Sequence, residues 1–414
     1  MMKIYLVGGA VRDKLLGITS QDSDWVVVGG TPEDLLMKGF TRVGADFPVF
    51  IHPQTKDEYA LARTERKTGL KHTDFESVYD PSVTLEDDLK RRDLTINAIA
   101  LDSNGKIIDP YNGVRDLNNR ILRHVSDSFG EDPLRILRVA RFMARYSHLG
   151  FVVSQETVEL MRTIGNQLSH ITPERVWKEL SRALCERTPS AFFNTLRECD
   201  CLRYVLPEVN ALFGVPQPAL HHPEIDTGVH TMMVIDHAAR SFGDVDIVYA
   251  ALTHDLGKAV TEPSLWPQHF NHEALGVSLV KELSNRLKVP SKTKNLAVLA
   301  CEYHTLAHKA FELRPSKIIS LFEKLDAFRN PLNLVDFLYV CESDSKGRLN
   351  KEDIEYRQSD YILGAYQISS KISGKEFAEK GFSGIKIKEL VHAKRVNSIS
   401  EYCKKQSDDK EMSP

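Results

Sequence analysis

The feature that most constrains the fold of this chain is a change in hydrophobic period near residue 130. Up to about residue 120, runs rich in β-branched and aromatic residues alternate with short helices and turns: "KIYLV", "WVVV", "FPVFIH", "EYALA" and "NAIALD". From "EDPLRILRVARFMARY" onward, apolar residues recur every three or four positions, as they do on one face of a helix. We therefore predict a small mixed α+β unit followed by a mostly helical remainder.

Local signals place individual elements. In "TPEDLLMKG", Thr31 is an N-cap residue, a proline occupies the first helical position and Gly39 follows the end, so we predict a short helix. Asn104 and Gly105 lie between two apolar runs and predict a hairpin turn. Farther along, the segment rich in proline and histidine from Gly214 to Gly228 is the best candidate for a boundary between helical units.

Composition excludes several classes of protein. The chain has 414 residues, of which 42% are hydrophobic and 27% charged, which is typical of a globular protein of two to four units. It contains no apolar run long enough to cross a bilayer, and we expect a cytoplasmic protein without a membrane partner. The formal net charge of −3 argues against a uniformly basic coat for nucleic acid. Six cysteines without a Cys-x-x-Cys pair suggest neither a zinc knuckle nor a disulfide framework.

Two aspartates, Asp22 and Asp24, stand immediately before the apolar run Trp25–Val28. In a strand, residues two apart point to the same face, so the two carboxylates would converge. Such a pair repels unless a cation lies between the charges, and hard oxygen ligands suit the Mg²⁺ ions of phosphoryl transfer. Taken alone, "DSD" is also typical of a surface turn.

A glycine turn upstream supplies a second element of such a site. Gly8 and Gly9 in "LVGGAVRD" lie between a predicted strand and a predicted helix. Glycine lets backbone N–H groups approach a polyphosphate closely, and Arg12 follows one turn later, where it can bind a phosphate. The two elements together predict a site for a polyphosphate.

Four motifs occur in order along the first part of the chain: "LVGGAVRDKLLG", the Asp-x-Asp pair, "EDDLKRRDLTINA" and "EDPLRILRVAR". Together they resemble the tRNA nucleotidyltransferases, the CCA-adding enzymes of class II within the polymerase-β-like superfamily. The later "HDLGK" resembles the bacterial branch that carries an HD domain. The resemblance implies a polymerase-β-like nucleotidyltransferase head with a mixed sheet (1–125), a helical neck with nucleotide-templating and RNA-binding elements (126–225), an HD domain (226–350) and a helical tail (351–414).

The resemblance also implies roles for the head residues. It assigns catalysis and Mg²⁺ binding to the paired aspartates, and nucleotide contacts to Gly9 and Arg12. In "RRD", Arg92 would contact the triphosphate and Asp93 would accept from the ribose 2′-OH. The alternative interpretation of this segment is a solvated, charged helix end after a capping box that begins at Thr84.

An arginine stripe follows "EDP" on a predicted helix: Arg135, Arg138, Arg141 and Arg145 recur at spacings of three, three and four. Such a stripe is often a solvated face, and Asp132 can be a simple N-cap. The resemblance implies instead that Asp132 and Arg135 form an amino-acid template for the incoming base. Arg138 and Arg141 would then reach the triphosphate or the base.

Hydrogen-bond chemistry supports a template of this kind. A carboxylate accepts from the exocyclic amine of cytosine or adenine, and an arginine donates to the adjacent ring nitrogen. Uracil and guanine present a carbonyl oxygen there instead, which would leave the buried carboxylate unpaired at a cost of about 1–3 kcal/mol. One carboxylate–arginine pair can therefore select C and A together.

The second half contains a set of histidines and aspartates: His230, the adjacent His254 and Asp255, and Asp344. The set resembles the HD-type metal-dependent phosphohydrolases, and mixed nitrogen and oxygen donors suit a transition metal such as Ni²⁺, Mn²⁺ or Zn²⁺. The histidines at positions 272, 304 and 308 are candidates for the same pocket. The resemblance implies phosphatase, 2′,3′-cyclic phosphodiesterase and 2′-nucleotidase activities, whereas a purely structural role is the alternative.

The predicted function is template-independent addition of CCA to the 3′ end of tRNA from CTP and ATP, with a second hydrolytic activity in the HD domain. The tRNA acceptor end would be bound through its backbone and shape. Three alternatives remain: a bacterial poly(A) polymerase, an HD hydrolase whose head senses nucleotide, and a noncatalytic RNA-binding protein. The sequence leaves open whether the protein is a monomer or a homodimer.

Overall fold

The computed structural model describes residues 2–19, 23–43, 49–67, 75–78, 80–220 and 222–411. The chain forms two compact units. The first comprises Met1–Ala183 and Ala191–Leu206, and the second Leu184–Ser190 and Pro207–Pro414. The segment from Gly214 to Gly228 lies inside the second unit. The finer subdivision into head, neck, HD domain and tail remains a prediction.

A mixed sheet organises the first unit. Among the described residues, seven strands form this sheet in the order β3-β4-β5-β2-β1-β8-β9, in which β2 and β5 are parallel and the other neighbours antiparallel. A separate antiparallel pair, β6–β7, and a parallel pair, β10–β11, complete the strands. Their bounds are β1 (Lys3–Val7), β2 (Asp24–Val28), β3 (Thr41–Val43), β4 (Val49–Ile51), β5 (Glu58–Leu61), β6 (Thr64–Lys67), β7 (Phe75–Val78), β8 (Ala100–Leu101), β9 (Ile107–Ile108), β10 (Ile121–Leu122) and β11 (Val152–Val153).

Both faces of the central strand β2 are covered, which explains its continuous apolar run. Val26 packs on one face with Leu89 and Ala98, whereas its neighbour Val27 packs on the other with Leu35 and Phe50. Successive side chains of a strand point to opposite faces, so both valines are buried only if both faces are covered. Asp24, the exposed first residue of β2, therefore lies at the edge of the hydrophobic core and does not interrupt it.

Helices surround this sheet and continue beyond it. The helix predicted after Thr31 is confirmed: Thr31 Oγ1 accepts from the Asp34 N–H, and the Asp34 side chain accepts from the Thr31 N–H. The turn at Gly105 connects β8 to β9 as predicted. The helices of this part of the chain are α1 (Gly9–Leu15), α2 (Pro32–Met37), α3 (Leu85–Lys90), α4 (Gly113–Asn118), α5 (Leu134–Tyr146), α6 (Gln155–Ile164), α7 (Pro173–Leu184), α8 (Ser190–Glu198) and α9 (Leu202–Val205).

The described part of the second unit is mostly helical. Its longer helices pack through apolar residues such as Val234, Leu252 and Phe337, which are fully buried. None of the helices in the described ranges combines the length and hydropathy that crossing a bilayer requires. The helices are α10 (Pro207–Asn210), α11 (Thr227–Ser241), α12 (Val245–Thr253), α13 (His272–Arg286), α14 (Ser291–His308), α15 (Pro315–Lys324), α16 (Pro331–Lys346), α17 (Arg357–Ser370), α18 (Lys375–Glu379) and α19 (Gly384–Glu411).

Candidate active sites

A cavity of about 540 Å³ in the first unit brings together the predicted head residues. Of these, Asp22 lies outside the described residues. Nine arginines and three aspartates among the described residues line the cavity, so its charge favours a polyanion such as a triphosphate. The lining residues are Gly8, Gly9, Arg12, Asp24, Arg63, Arg91, Arg92, Asp93, Asn97, Asp132, Leu134, Arg135, Arg138, Arg141, Phe142, Arg145 and Arg175.

The glycine turn and Asp24 meet at the end of the β1–β2 pair. Val7, the last residue of β1, is paired with Asp24, so the turn at Gly8 begins beside this carboxylate. Gly8 has φ = +66°, and a Cβ there would lie 2.9 Å from Arg92 Nη1 and 3.9 Å from Asp24 Oδ2. Only glycine combines this backbone conformation with so close an approach.

Asp88, which the sequence interpretation passed over, positions two arginines of the cavity. Its buried carboxylate lies 2.6 Å from Arg91 Nη2 through Oδ1 and 3.1 Å from Arg92 Nη2 through Oδ2. Burial raises the pKa of Asp88, but the charges of Arg92 and Arg91 outweigh that effect and hold the pKa below its usual value. Asp88, four residues before Arg92, therefore fixes the orientation of the Arg92 guanidinium, which is the predicted phosphate contact.

Asp93 is buried and paired on both oxygens. Its Oδ1 accepts from the Leu94 N–H at 2.8 Å and from Asn97 Nδ2 at 2.9 Å, and its Oδ2 accepts from Arg138 Nε at 2.8 Å. Burial raises the pKa of Asp93, but the charge of Arg138 and the hydrogen bond from Asn97 outweigh it and hold the pKa well below its usual range. Asp93 therefore stays ionised and holds Arg138, while its contact with the ribose remains a prediction.

Arg12 is buried in a network that spans the first unit. Its Nη1 donates to Asn97 Oδ1 at 2.7 Å and its Nε to Asp13 Oδ1 at 2.9 Å. The guanidinium carbon also lies 5.1 Å from the ring centre of Phe142, at cation–π distance. Asn97 consequently connects Arg12 to Asp93. Its amide oxygen accepts from the Arg12 guanidinium, and its amide nitrogen donates to the Asp93 carboxylate.

The predicted template residues lie at the start of α5. The N-cap residue of α5 is Pro133 and not Asp132, as the N-cap interpretation had it. Asp132 Oδ1 accepts from the Leu134 N–H at 3.0 Å, and Oδ2 is 2.8 Å from Arg175 Nη2. Arg135 Nη1 donates to the Ser128 carbonyl at 2.9 Å. Arg175 is on α7, 43 residues from Asp132, and no local pattern in the sequence pointed to it.

The alternative that the stripe on α5 is a solvated face is wrong for two of its arginines. Arg135 and Arg141 are each only 8% exposed. Arg141 Nε donates to Glu179 Oε2 at 2.6 Å, and the guanidinium lies 4.6 Å from the ring centre of Phe142. These arginines are held on the cavity wall by protein partners, which fixes their orientation before a ligand arrives.

A second site lies among the helices of the second unit, where the predicted histidine–aspartate set converges. His230 Nε2 is 3.0 Å from Asp344 Oδ1, and His254 Nε2 is 3.2 Å from Asp255 Oδ2 and 3.7 Å from Asp344 Oδ1. All four residues are at least 96% buried. Ligand atoms bound at about 2.1 Å to one ion lie roughly 3.0–3.5 Å apart. Two of the three separations fall in this range and the third is slightly longer, which is close to the spacing of a metal site.

Three further groups orient these ligands. Glu224 Oε1 lies 2.9 Å from His230 Nδ1, and His254 Nδ1 is 2.7 Å from the Ala251 carbonyl, which leaves each Nε2 directed at the set. His308 Nε2 lies 2.6 Å from Asp344 Oδ2 and its Nδ1 2.9 Å from the Tyr356 hydroxyl, so His308 orients a ligand from the outside. Glu224 was missed in the sequence, although it lies inside the segment rich in proline and histidine.

The chemistry of this donor set fits a divalent transition metal. His254 Nε2 is buried and has no hydrogen-bond partner among the described residues, which fits a nitrogen that binds a metal ion. Burial raises the pKa of Asp344, but the neighbouring His308 and His254 hold it well below its usual value, so the carboxylate is ionised. Two imidazoles and two carboxylates suit first-row transition metals.

Comparisons with known proteins identify three domains in the chain. The poly A polymerase head domain family matches residues 4–123, the probable RNA- and SrmB-binding site of polymerase A matches 150–213, and the HD domain family matches 227–328. The first match covers the glycine turn, the Asp-x-Asp pair and "EDDLKRRDLTINA", and the third covers "HDLGK"; "EDPLRILRVAR" lies between the first match and the second. The chain therefore contains a poly A polymerase head domain, an RNA-binding region of polymerase A and an HD domain, in this order.

Solved structures of CCA-adding enzymes share this fold. The Thermotoga maritima enzyme complexed with tRNA_CCA is 20% identical, with a TM-score of 0.62 over 96% of this chain and 87% of that one. The Bacillus stearothermophilus enzyme in complex with CTP is 23% identical, with a TM-score of 0.64 over 99% and 94%. A CCA-adding enzyme with ATP is 22% identical, with a TM-score of 0.65 over 96% and 86%.

The domain matches and the shared fold confirm the polymerase-β-like head with its mixed sheet and the HD domain. The head domain makes the chain a nucleotidyltransferase, and both domain types imply dependence on divalent metal ions.

Proposed function

We propose that the first unit adds C, C and A to the 3′ end of tRNA, with CTP and ATP as donors. The observation that carries this proposal is the single cavity in which Asp24, the glycine turn, the arginines and the Asp132–Arg135 pair meet. Relatives of this fold have been solved with tRNA, CTP and ATP, which supports the choice of substrates.

The reaction needs charge stabilisation at a triphosphate. The oxygen of the terminal 3′-hydroxyl of tRNA attacks the α-phosphorus, its proton is released, and the bond from the α-phosphorus to the bridging oxygen breaks as pyrophosphate leaves. Arg92 and Arg138, both held by carboxylates, are preorganised to stabilise the charge that moves to the leaving group. Asp24, together with Asp22, would hold Mg²⁺, which when bound neutralises the triphosphate and favours the ionised hydroxyl.

Base selection is assigned to Asp132 and Arg135. A carboxylate has about four acceptor positions, so Asp132 can accept from an exocyclic amine while it keeps its contacts with the Leu134 N–H and Arg175. A carbonyl oxygen of uracil or guanine at that place would face the same carboxylate and receive no hydrogen bond. The pair therefore accepts C and A and rejects U and G.

For the second unit we propose metal-dependent hydrolysis of phosphoesters, including 2′,3′-cyclic phosphates and 2′-nucleotides. His230, His254, Asp255 and Asp344 would hold the ion, a transition metal such as Ni²⁺. Release of phosphate from 2′-AMP by the full chain, dependent on added Ni²⁺ and lost in His254→Ala, tests this activity. No release under any divalent ion would contradict it.

One incubation tests the activity of the head. A tRNA that ends before CCA is mixed with all four nucleoside triphosphates and Mg²⁺, and the extended products are sequenced. Addition of three nucleotides in the order C, C, A supports the proposal. A growing A tract would indicate the rival poly(A) polymerase, and binding of CTP without extension would indicate a head that only senses nucleotide.

A further inference from the structure

An arginine just after α16 carries a buried donor whose partner is not found among the described residues. This residue, Arg348, follows Asp344 by four positions in the segment "CESDSKGR". Its Nε is buried and makes no hydrogen bond there. Its Nη2 lies 3.8 Å from Asp344 Oδ1, which is an ion-pair distance but is too long for a hydrogen bond. Buried polar atoms are rarely left unpaired, so this guanidinium indicates a ligand.

The backbone on both sides of Arg348 is anchored beside the histidine–aspartate set. Gly347 lies so close to α11 that a Cβ there would be 2.5 Å from the Val234 Cα and 2.7 Å from the nitrogen of the same residue. On the other side, Leu349 donates its N–H to Glu224 Oε2 at 3.4 Å. The position from which the Arg348 side chain extends is therefore fixed by its neighbours.

Arg348 lies on the more open side of the set. The side chains of His230 and His254, which contact the Asp344 carboxylate, are fully buried. Those of His308 and Arg348, which approach the same carboxylate, are 20% and 21% exposed. These two side chains therefore mark the side from which a small ligand can approach the set.

The chemistry of a guanidinium selects an anion with several oxygens. It carries five N–H donors in one plane, keeps its charge throughout the physiological pH range and binds a phosphate through two parallel hydrogen bonds. In the hydrolysis of a phosphoester, negative charge lies on the non-bridging phosphoryl oxygens, and a donor fixed in advance stabilises it. A guanidinium on the open side of the proposed hydrolytic site is suited to this task.

We propose that Arg348 binds the non-bridging oxygens of the phosphate group in the substrates of the second unit. The inference rests on the proposed hydrolysis of phosphoesters at the histidine–aspartate set. In that reaction the oxygen of water forms a bond to phosphorus, the bond from phosphorus to the ester oxygen breaks, and a proton passes from water to the leaving alcohol. Arg348 stays protonated throughout and contributes charge and orientation.

The test uses the full chain with saturating Ni²⁺, 2′-AMP as substrate and inorganic phosphate as a competitive inhibitor. We expect Arg348→Ala to lower kcat/KM and to raise the inhibition constant for phosphate, each about 10- to 150-fold, as expected for loss of a hydrogen bond between charged groups. Arg348→Lys keeps the charge but not the planar donors and should lie between the two. Added guanidinium ion should restore part of the activity of Arg348→Ala.

Metal affinity distinguishes this role from support of Asp344. Removal of a cation beside a metal site relieves repulsion, so Arg348→Ala should bind Ni²⁺ at least as tightly as wild type in competition with a colorimetric chelator. Weaker metal binding together with an unchanged inhibition constant for phosphate would overturn the inference, because Arg348 would then act only through Asp344.

A matched variant controls for loss of an arginine as such. Arg357 is exposed and lies 3.0 Å from Glu355, so Arg357→Ala should behave as wild type. An inhibition constant for Arg348→Ala equal to that of Arg357→Ala would overturn the phosphate contact alone. No hydrolysis by the wild-type chain with any divalent ion would overturn the proposed function as well. Arg348→Lys decides the question if Arg348→Ala fails to fold.

Discussion

Arg138 and Asp93 are 45 residues apart in the chain and form a charged pair in which Arg138 Nε and Nη2 lie 2.8 and 2.7 Å from Asp93 Oδ2. The pair joins α5 to the "RRD" segment, and both residues line the cavity. The two motifs that were separate in the sequence are therefore one structural unit in the fold. The arginine depends on the aspartate for its orientation, which leads to the first prediction.

We expect Asp93→Asn to destabilise the protein by about 2 kcal/mol at pH 7, since a hydrogen bond between charged groups contributes about 1.5–3 kcal/mol. The folded-state pKa of Asp93 is depressed, so its contribution is present above the unfolded pKa of about 3.9 and is lost as pH falls toward the folded value. Urea denaturation at pH 7 and at about pH 3 should show a difference from wild type that shrinks at low pH. An equal difference at both pH values would contradict this assignment.

Asp24→Ala should abolish nucleotide addition, with a loss of at least about a thousandfold, because it removes a proposed metal ligand at the reacting phosphate. The fold should persist because Asp24 is exposed at the start of β2. Glu58 supplies a matched control, since it is an exposed carboxylate paired directly with Asp24 on β5 and does not line the cavity. Extension of truncated tRNA measures the activity of both variants. Near-normal extension by Asp24→Ala would contradict the assignment of Asp24 as a metal ligand.

Arg175→Ala should weaken discrimination between C and U, because Asp132 loses the cation that orients its carboxylate. Loss of about 1–3 kcal/mol of selectivity corresponds to a roughly 5- to 150-fold change in the ratio of kcat/KM for CTP over UTP. Arg182 on the same helix is exposed, and Arg182→Ala should leave the ratio unchanged. A ratio for Arg175→Ala equal to that of the control would show that Asp132 is oriented without Arg175.

Gly8→Ala should reduce the affinity for CTP much more than it reduces stability, because the added Cβ would displace the Arg92 guanidinium 2.9 Å away. Gly105→Ala is the comparison: it has φ = +78° and no atom within 4 Å of its added Cβ. Both variants carry backbone strain of about 1–2 kcal/mol. Only Gly8→Ala should lose affinity for CTP, as measured by isothermal titration calorimetry. Similar affinities in the two variants would argue against contact between the glycine turn and the triphosphate site.

Glu224→Gln should weaken metal binding in the second unit about 10- to 100-fold, the usual effect of losing a carboxylate that orients a metal-bound histidine. The side chain of Glu224 is 3% exposed and lies 2.9 Å from His230 Nδ1. Glu282→Gln, on the exposed side of α13, is the control and should bind metal normally. Competition with a colorimetric chelator measures the affinity of each variant for Ni²⁺. Equal affinities in Glu224→Gln and Glu282→Gln would show that Glu224 does not orient the metal-bound histidine.

The short motifs allowed the architecture and much of each site to be predicted, because their residues are near neighbours in the chain. Gly8, Arg92 and Arg135 each lie in a contiguous motif, and all three line the cavity. Strand and helix signals such as the cap at Thr31 depend on three or four residues and were confirmed for the same reason.

Supporting residues were missed where packing alone brings them to the site. Arg175 reaches Asp132 from a different helix, and Asp88 was hidden within a run of charges that resembles a solvated surface. The burial of Arg141 against Glu179 likewise depends on how α5 packs on α7. Periodicity reports which face of a helix is polar, but it does not report whether that face meets water or another charged helix.

Asn97 makes the first unit sensitive to the polarity of one uncharged side chain. Its amide lies between a cation, Arg12, and an anion, Asp93, with a hydrogen bond to each. A carboxylate in its place would satisfy the arginine and repel the aspartate, and a cationic side chain would do the reverse. A neutral amide of this length can accept from Arg12 and donate to Asp93 at the same time. A charged side chain at position 97, of either sign, would therefore disturb the alignment of the glycine turn with the "RRD" segment.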